Sequence, residues 1–173
     1  TCSITVVGSF ADGDDLSAVS DIDTIVVFDA LTPSRFSQAV AAVAALSGDA
    51  LGFPGRTVRV NSRLGPLKCD EPGEVVVHLM LYDRASHREH VLRSPFTCLD
   101  WERSQFWAGA RLSDVYPVGA LQPGDFLGAR RGLANYVNDL QSGTLSIRQL
   151  TAKGDTMVEV ADRVPLDRRH QGE

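Results

Sequence analysis

The sequence is poor in cysteine and has no long apolar run. Its three cysteines, Cys2, Cys69 and Cys98, are an odd number without a CxxC spacing, which argues against a disulfide framework and a structural zinc site. The longest apolar stretch, AVAAVAALSG from Ala39, is too short and too small-sided to cross a membrane. The opening residues TCSITVVGSF lack the basic flank of a signal peptide. We therefore expect a cytoplasmic protein with reduced thiols. The first residue, Thr1, is not methionine, so we also expect a trimmed chain.

Lysine is also scarce, since Lys68 and Lys153 are the only two and arginine supplies the other cationic side chains. The formal net charge of −5 at pH 7 argues against a protein that coats nucleic acid without specificity, although it does not exclude one local basic face. With 173 residues, of which 43% are hydrophobic and 23% charged, the chain has the composition of an ordinary globular domain.

The order of the expected elements is typical of an α+β protein. Apolar and β-branched runs predict strands at residues 3–7, 24–28, 57–61 and 75–82. A helix capped by Thr32 is expected after the second strand. A further helix is expected at 124–141, and one helix or a pair of helices at 146–161. We therefore expect a small mixed β-sheet with helices over residues 1–95. We further expect residues 96–173 to form a helical C-terminal half that packs on this core and is not an independent domain.

A Gly-Ser pair and two aspartates stand at the junction of the first two strands. Gly8 and Ser9 end the first apolar run, and after eleven residues Asp21 and Asp23 begin the next. Gly8 allows a tight turn, Ser9 can cap a short helix, and the N–H groups at such a helix start favour phosphate oxygens. Asp21 and Asp23 are two positions apart on a strand, so their side chains emerge on one face. Because two like charges this close repel each other, the pattern indicates a divalent metal with a bound nucleotide.

Together with Ser20, this stretch resembles the signature of the DNA polymerase β-like nucleotidyltransferase superfamily, and Ser-Asp-Ile-Asp is the form typical of its small bacterial members. The resemblance implies an enzyme that binds a nucleoside triphosphate with two Mg²⁺ ions held by three carboxylates. The acceptor hydroxyl attacks the α-phosphate and pyrophosphate leaves. The resemblance further implies that Gly8, Ser9 and Ser20 bind the nucleotide and that Asp21 and Asp23 bind the metal.

The third carboxylate of this pattern is not at its expected place. It would lie in the middle of the strand EVVVHLMLYD, where the residue is His78. Either His78 replaces the carboxylate or Glu74 or Asp83 supplies it from a strand end. A histidine could also act as a general base near neutral pH, or it could be a half-buried structural residue bonded to a backbone carbonyl.

Three cationic residues of the second half are further candidates for nucleotide binding. A lysine from this part of the chain often contacts the triphosphate in the superfamily, and Lys153 fits that position or is a plain surface lysine. Arg130 and Arg131 could face phosphate or an RNA acceptor. Neighbouring residues do not share a helix face, so at most one of these two arginines points inward.

Two further histidines lie in the segment after Asp83. This segment is expected to form a short helix capped by Asp83 or Ser86. His87 and His90 are three residues apart, but two histidines without further converging ligands do not make a metal site. We expect them on an exposed helix face.

Small members of the nucleotidyltransferase superfamily transfer a nucleotide to an RNA 3′ end, to a small hydroxyl compound such as an aminoglycoside, or to a protein. The arginines of the second half favour an RNA acceptor such as tRNA, as in the nucleotidyltransferase toxins that pair with an antitoxin protein. The negative net charge instead favours a cationic small molecule. The alternative to an enzyme is a module that binds nucleotide without catalysis, because the third acid is missing.

Overall fold

The structure, a computed structural model, describes residues 2–11, 21–65, 72–93, 105–115 and 123–165. The strands are β1 (Ser3–Val7), β2 (Asp21–Phe28), β3 (Thr57–Asn61), β4 (Glu74–Asp83), β5 (Gln105–Gly109), β6 (Thr144–Lys153) and β7 (Thr156–Pro165). The α-helices are α1 (Pro33–Ala44), α2 (Arg84–Arg93), α3 (Leu112–Val115) and α4 (Pro123–Ser142), and 3₁₀ turns lie at Ser9–Ala11 and Asp49–Leu51. Within these residues no helix is long and apolar enough to span a membrane.

Five strands form one mixed sheet in the order β3-β4-β2-β1-β5. β2, β3 and β4 run parallel, and β1 runs antiparallel to both β2 and β5. β2 and β4 occupy inner positions of the sheet, which explains why they are almost continuously apolar. The expected α+β class with a small mixed sheet is confirmed.

The core lies on both faces of the sheet, and alternate residues of a strand belong to different clusters. On β2, Ile25 and Val27 pack with Tyr82 on one face, while Val26 and Phe28 pack on the other. Helix α1 covers this second face through side chains that include Phe36, Val40 and Val43. The predicted cap of α1 is confirmed, because Thr32 Oγ1 accepts a hydrogen bond from the backbone N–H of Arg35 at 3.3 Å.

The helix expected at residues 146–161 is wrong, because this stretch belongs to the antiparallel hairpin of β6 and β7. Gly143 and Gly154 both have positive φ, at 69° and 60°. Gly143 follows the end of α4, and Gly154 lies in the turn of the hairpin. The burial of β6 has the two-residue period of a strand, since Leu145 and Ile147 are buried and Ser146 between them is exposed. The helix predicted at 124–141 is confirmed as α4, whereas residues 105–109 form strand β5 at the edge of the main sheet and not part of a helical half.

The hairpin is joined to the main sheet through the segment that follows β3. Leu64 and Arg148 exchange two backbone hydrogen bonds, each of 2.8 Å. Leu150 and Met157 add contacts with the core cluster around Leu79. The C-terminal hairpin therefore supports the end of β3, which lies beside the candidate site.

The two histidines of α2 lie inward, contrary to the exposed face expected for them. His87 is fully buried, and the rings of His87 and His90 lie 5.4 Å and 5.3 Å from the ring of Tyr82. Burial lowers the pKa of His87 from 6.5 to about 4. Burial, with the nearby charge of Arg148 and of His87, lowers the pKa of His90 to about 4 as well. Both side chains are therefore neutral in the folded protein at neutral pH.

We expect the protein to lose stability as the pH falls from 6.5 towards 4. In this window the unfolded chain binds protons at His87 and His90 while the folded chain does not, so protons favour unfolding. The loss amounts to about 2 kcal/mol per histidine at pH 5. Urea unfolding at pH 7.5 and pH 5 measures it, and a variant carrying His87→Gln and His90→Gln should show a smaller pH dependence. Equal pH dependence in the two proteins would contradict the expectation.

Candidate active site

Asp21, Asp23 and His78 come together on one face of the sheet. Asp21 and Asp23 lie at the start of β2, and His78 lies on the adjacent parallel strand β4 directly opposite Asp23. One potential ligand atom from each side chain lies within 4.8 Å of the others. All three side chains are partly buried, with Asp23 27% and His78 14% exposed. The register of two parallel strands thus builds a cluster of two carboxylates and one imidazole that a cation can reach.

Both ring nitrogens of His78 are engaged. Nε2 lies 2.8 Å from the backbone carbonyl oxygen of Arg63, and Nδ1 lies 2.8 Å from Asp23 Oδ1. Because a carbonyl oxygen only accepts, Nε2 carries a proton. The neutral ring then presents the lone pair of Nδ1 to a carboxylate oxygen, which is favourable only when a proton or a cation lies between these two atoms.

The pKa of His78 reflects the same surroundings. Burial is the strongest single influence and lowers this pKa, but the hydrogen bond with Asp23, the charges of Asp23 and Asp21, and the Arg63 carbonyl raise it. The net result is a pKa above the usual value of 6.5. The imidazole is therefore held in a site that favours positive charge beside Asp23.

The donor set fits a divalent cation. Carboxylate oxygens and an imidazole nitrogen are ligands for such ions. A ligating histidine usually donates its other N–H to a backbone carbonyl, which fixes the ring, and His78 does so with Arg63. Among the described residues, Asp21, Asp23 and His78 are the group that the geometry offers for an ion.

Gly8 places the end of β1 directly against this cluster. Its φ is +75°, and a Cβ at this position would lie 2.5 Å from Asp23 Oδ2. Val7, just before it, pairs with Asp23 in the β1–β2 ladder. Ser9 begins the 3₁₀ turn Ser9–Ala11, whereas the side chain of Ser9 and the whole of Ser20 lie outside the described residues. Glycine is required here both by its backbone conformation and by the lack of space for a side chain.

The two other candidates for the third acid have different partners. Glu74 lies at the start of β4 and forms an ion pair of 3.4 Å with Arg59. Asp83 lies at the end of β4, where its Oδ1 accepts hydrogen bonds of 2.8 Å from the backbone N–H and the hydroxyl of Ser86. This contact caps α2, as expected. The structure therefore brings His78, rather than either acid, to the aspartate pair.

The cationic candidates lie on outer elements of the C-terminal part. Arg130 and Arg131 are exposed on α4, and Lys153 is exposed at the end of β6. Two other arginines of this part are held in ion pairs, Arg148 with Glu159 at 3.1 Å and Arg163 with Asp139 at 3.4 Å. The positive charge available to an anionic partner on this side is therefore smaller than the composition indicates.

Sequence reasoning missed the segment that holds His78. The backbone carbonyl of Arg63 contacts the ring, and the side chain of Asn61 accepts the N–H of Arg63 at 3.0 Å. An asparagine that ends an apolar strand is a signal for such a turn, but its position next to His78 follows only from the pairing of β3 with β4.

A cavity of about 570 Å³ lies on the opposite face of the sheet, beside α1. Ile22 and Thr24 line it, and they alternate along β2 with the two aspartates. Its walls are mainly apolar, and Arg35 is the charged residue that lines it among the described residues. Among the described residues, its lining contains no carboxylate of the kind that nucleotide chemistry requires, so the cluster on the other face remains the candidate site.

Residues 2–70 match the family of the nucleotidyltransferase domain. The matched segment contains β1, Gly8, the aspartate pair and β3. It ends before His78, which lies outside the match. No curated protein and no solved structure matches the chain. The expected resemblance to the polymerase β-like nucleotidyltransferases is confirmed by the family match.

Proposed function

We propose that the protein is a cytoplasmic, metal-dependent enzyme that transfers a nucleoside monophosphate to an RNA acceptor such as the 3′ end of tRNA. The match of residues 2–70 to the nucleotidyltransferase-domain family supports the general activity. The observation that carries this proposal is the convergence of Asp21, Asp23 and His78 beside the glycine turn. The domain family itself supports the general transfer of a nucleotide from a nucleoside triphosphate.

The reaction needs charge stabilisation more than covalent chemistry. The acceptor oxygen forms a bond with the α-phosphorus, and the bond from this phosphorus to the bridging oxygen breaks. Pyrophosphate leaves, and the hydroxyl proton passes to a carboxylate of the site. One or two Mg²⁺ ions, held by Asp21, Asp23 and Nδ1 of His78, would neutralise the phosphate charge.

The chain's own residues orient the substrate. The first backbone N–H groups of the turn Ser9–Ala11 are suited to phosphate oxygens, because donors at the start of a helical turn have no partner within the turn. The N–H of Ala11 already donates to the carbonyl of Gly8 at 3.1 Å. Gly8 brings the backbone against Asp23, so bound phosphates would lie close to the carboxylates. Ser9 and Ser20 would add side-chain contacts with the nucleotide.

An RNA acceptor is favoured by the two exposed arginines of α4, Arg130 and Arg131, because arginine binds phosphate through two parallel hydrogen bonds. Lys153 would reach the triphosphate from the hairpin. We propose that the protein acts like the nucleotidyltransferase toxins and has an antitoxin protein as its partner.

The direct test is transfer from each of four α-labelled nucleoside triphosphates, with Mg²⁺, to total tRNA. We expect labelled tRNA with one preferred nucleotide and none with a double variant carrying Asp21→Asn and Asp23→Asn. Label on an aminoglycoside or on protein instead would overturn the RNA acceptor while keeping the transferase. Nucleotide binding without any transfer would overturn the enzyme and favour a non-catalytic nucleotide-binding module, which the histidine at the third acid position also allows.

A further inference from the structure

A chain of contacts leads from a buried asparagine to the aspartate pair. Asn61 is the last residue of β3 and is only 3% exposed. Its Oδ1 accepts the N–H of Arg63 at 3.0 Å, and the carbonyl oxygen of Arg63 accepts Nε2–H of His78 at 2.8 Å. Nδ1 of His78 then faces Asp23 Oδ1 at 2.8 Å. The side chain of Asn61 thus acts on the site through the backbone of one intervening residue, Arg63.

The segment between Asn61 and Leu64 is fixed at both ends. Asn61 closes a turn of the type in which a side-chain oxygen binds the N–H two residues later. Leu64 exchanges both its backbone hydrogen bonds with Arg148 of the hairpin, at 2.8 Å each. The carbonyl of Arg63 therefore cannot turn away from His78 without the loss of at least one of these contacts.

We propose that Asn61 is a positioning residue, which holds His78 in the tautomer with the proton on Nε2 so that Nδ1 is directed at Asp23 and at a divalent cation. Asn61 lies directly opposite His78 in the pairing of the parallel strands β3 and β4. The direct partner of His78 is the carbonyl of Arg63, and removal of such a partner typically changes metal affinity 10- to 100-fold. Asn61 acts on His78 through this carbonyl.

This inference rests on the proposed function for its consequence in catalysis, but its test does not depend on transfer activity. Asn61→Asp keeps an oxygen acceptor for the Arg63 N–H, whereas Asn61→Leu has a similar size and no acceptor. NMR of the histidine ring nitrogens, at a pH at which the ring is neutral, should show a proton on Nε2 of His78 in the wild type and in Asn61→Asp. A mixture of the two tautomers is expected in Asn61→Leu.

Binding of Mn²⁺ alone gives a second measurement on the same proteins. We expect an affinity about tenfold weaker for Asn61→Leu than for the wild type, at the lower end of the range for a direct partner of a metal ligand because Asn61 acts through Arg63, and an equal or stronger affinity for Asn61→Asp. Unchanged tautomer and affinity in a folded Asn61→Leu protein would overturn the inference.

A measurement on the wild type keeps the inference testable if Asn61→Leu does not fold. The Arg63 amide should exchange with solvent slowly, because its N–H is bonded to a buried side chain. Fast exchange of this amide, or a proton on Nδ1 in the neutral ring, would overturn the proposed role of Asn61. An inactive protein with the expected tautomers would overturn the proposed function and leave this inference standing.

Discussion

Replacing His78 by leucine is expected to lower the rate of nucleotidyl transfer by more than about a hundredfold. This exceeds the usual effect of removing a residue that only contacts a metal ligand. The variant removes a ligand and leaves the partly buried carboxylate of Asp23 without the group that lies 2.8 Å from it. His78→Asp should keep the rate or raise it, because it restores the third carboxylate of the superfamily pattern. Steady-state transfer with the preferred nucleotide, corrected for folded protein, measures both variants.

The matched control for this prediction is His87→Leu. His87 is also a buried histidine, but it lies on α2 against Tyr82 rather than at the aspartate pair. Its replacement should change the free energy of unfolding and leave the rate per folded molecule unchanged. If His78→Asp is folded and inactive, or if it cannot fold at all, His78 is structural and its assignment to the third ligand position fails.

The first half of the fold could be predicted because local signals and the tertiary structure agree there. The apolar runs of β1, β2 and β4 are mostly buried on the sheet, and the valines of β3 are partly buried at its edge. Thr32 caps α1 as its position before Pro33 indicates. The aspartate pair was equally predictable, since a spacing of two on a strand determines a common face without any knowledge of the neighbouring strands.

The hairpin could not be predicted with the same reasoning. Ile147 and Leu150 are three residues apart, a spacing that also fits a helix, and the two-residue period of β6 is visible only in the first half of that strand. A tertiary contact favours the hairpin over a helix, because Arg148 pairs with Leu64 outside the hairpin. Gly154, at the turn, is the local signal that the helical interpretation passed over.

The site shows the same division between local and long-range information. His78 was a candidate from its place on β4, but its two hydrogen-bond partners come from β2 and from the segment after β3. The choice between His78, Glu74 and Asp83 therefore depended on strand order and register, which the sequence of one strand does not contain. The ion pair of Glu74 and the helix cap of Asp83 distinguish the three residues only in the folded chain.

Gly8→Ala is expected to impair both the stability of the fold and its transfer activity. The φ of +75° costs roughly 1–2 kcal/mol for a residue with a side chain. The added Cβ would also lie 2.5 Å from Asp23 Oδ2, so the carboxylate has to move. Because Asp23 faces His78 at 2.8 Å, its displacement should weaken metal binding and lower transfer by about tenfold or more.

Gly55→Ala separates these two effects. Gly55 has nearly the same φ, +73°, but a Cβ there would meet no atom within 4 Å. This control should lose a similar free energy of unfolding from backbone strain and keep the affinity for Mn²⁺ and the transfer rate of the wild type. Equal losses of metal affinity in both variants would mean that general destabilisation, and not the contact between Gly8 and Asp23, explains the effect. If Gly8→Ala alone loses affinity, the glycine turn is part of the site because it leaves room for the carboxylate.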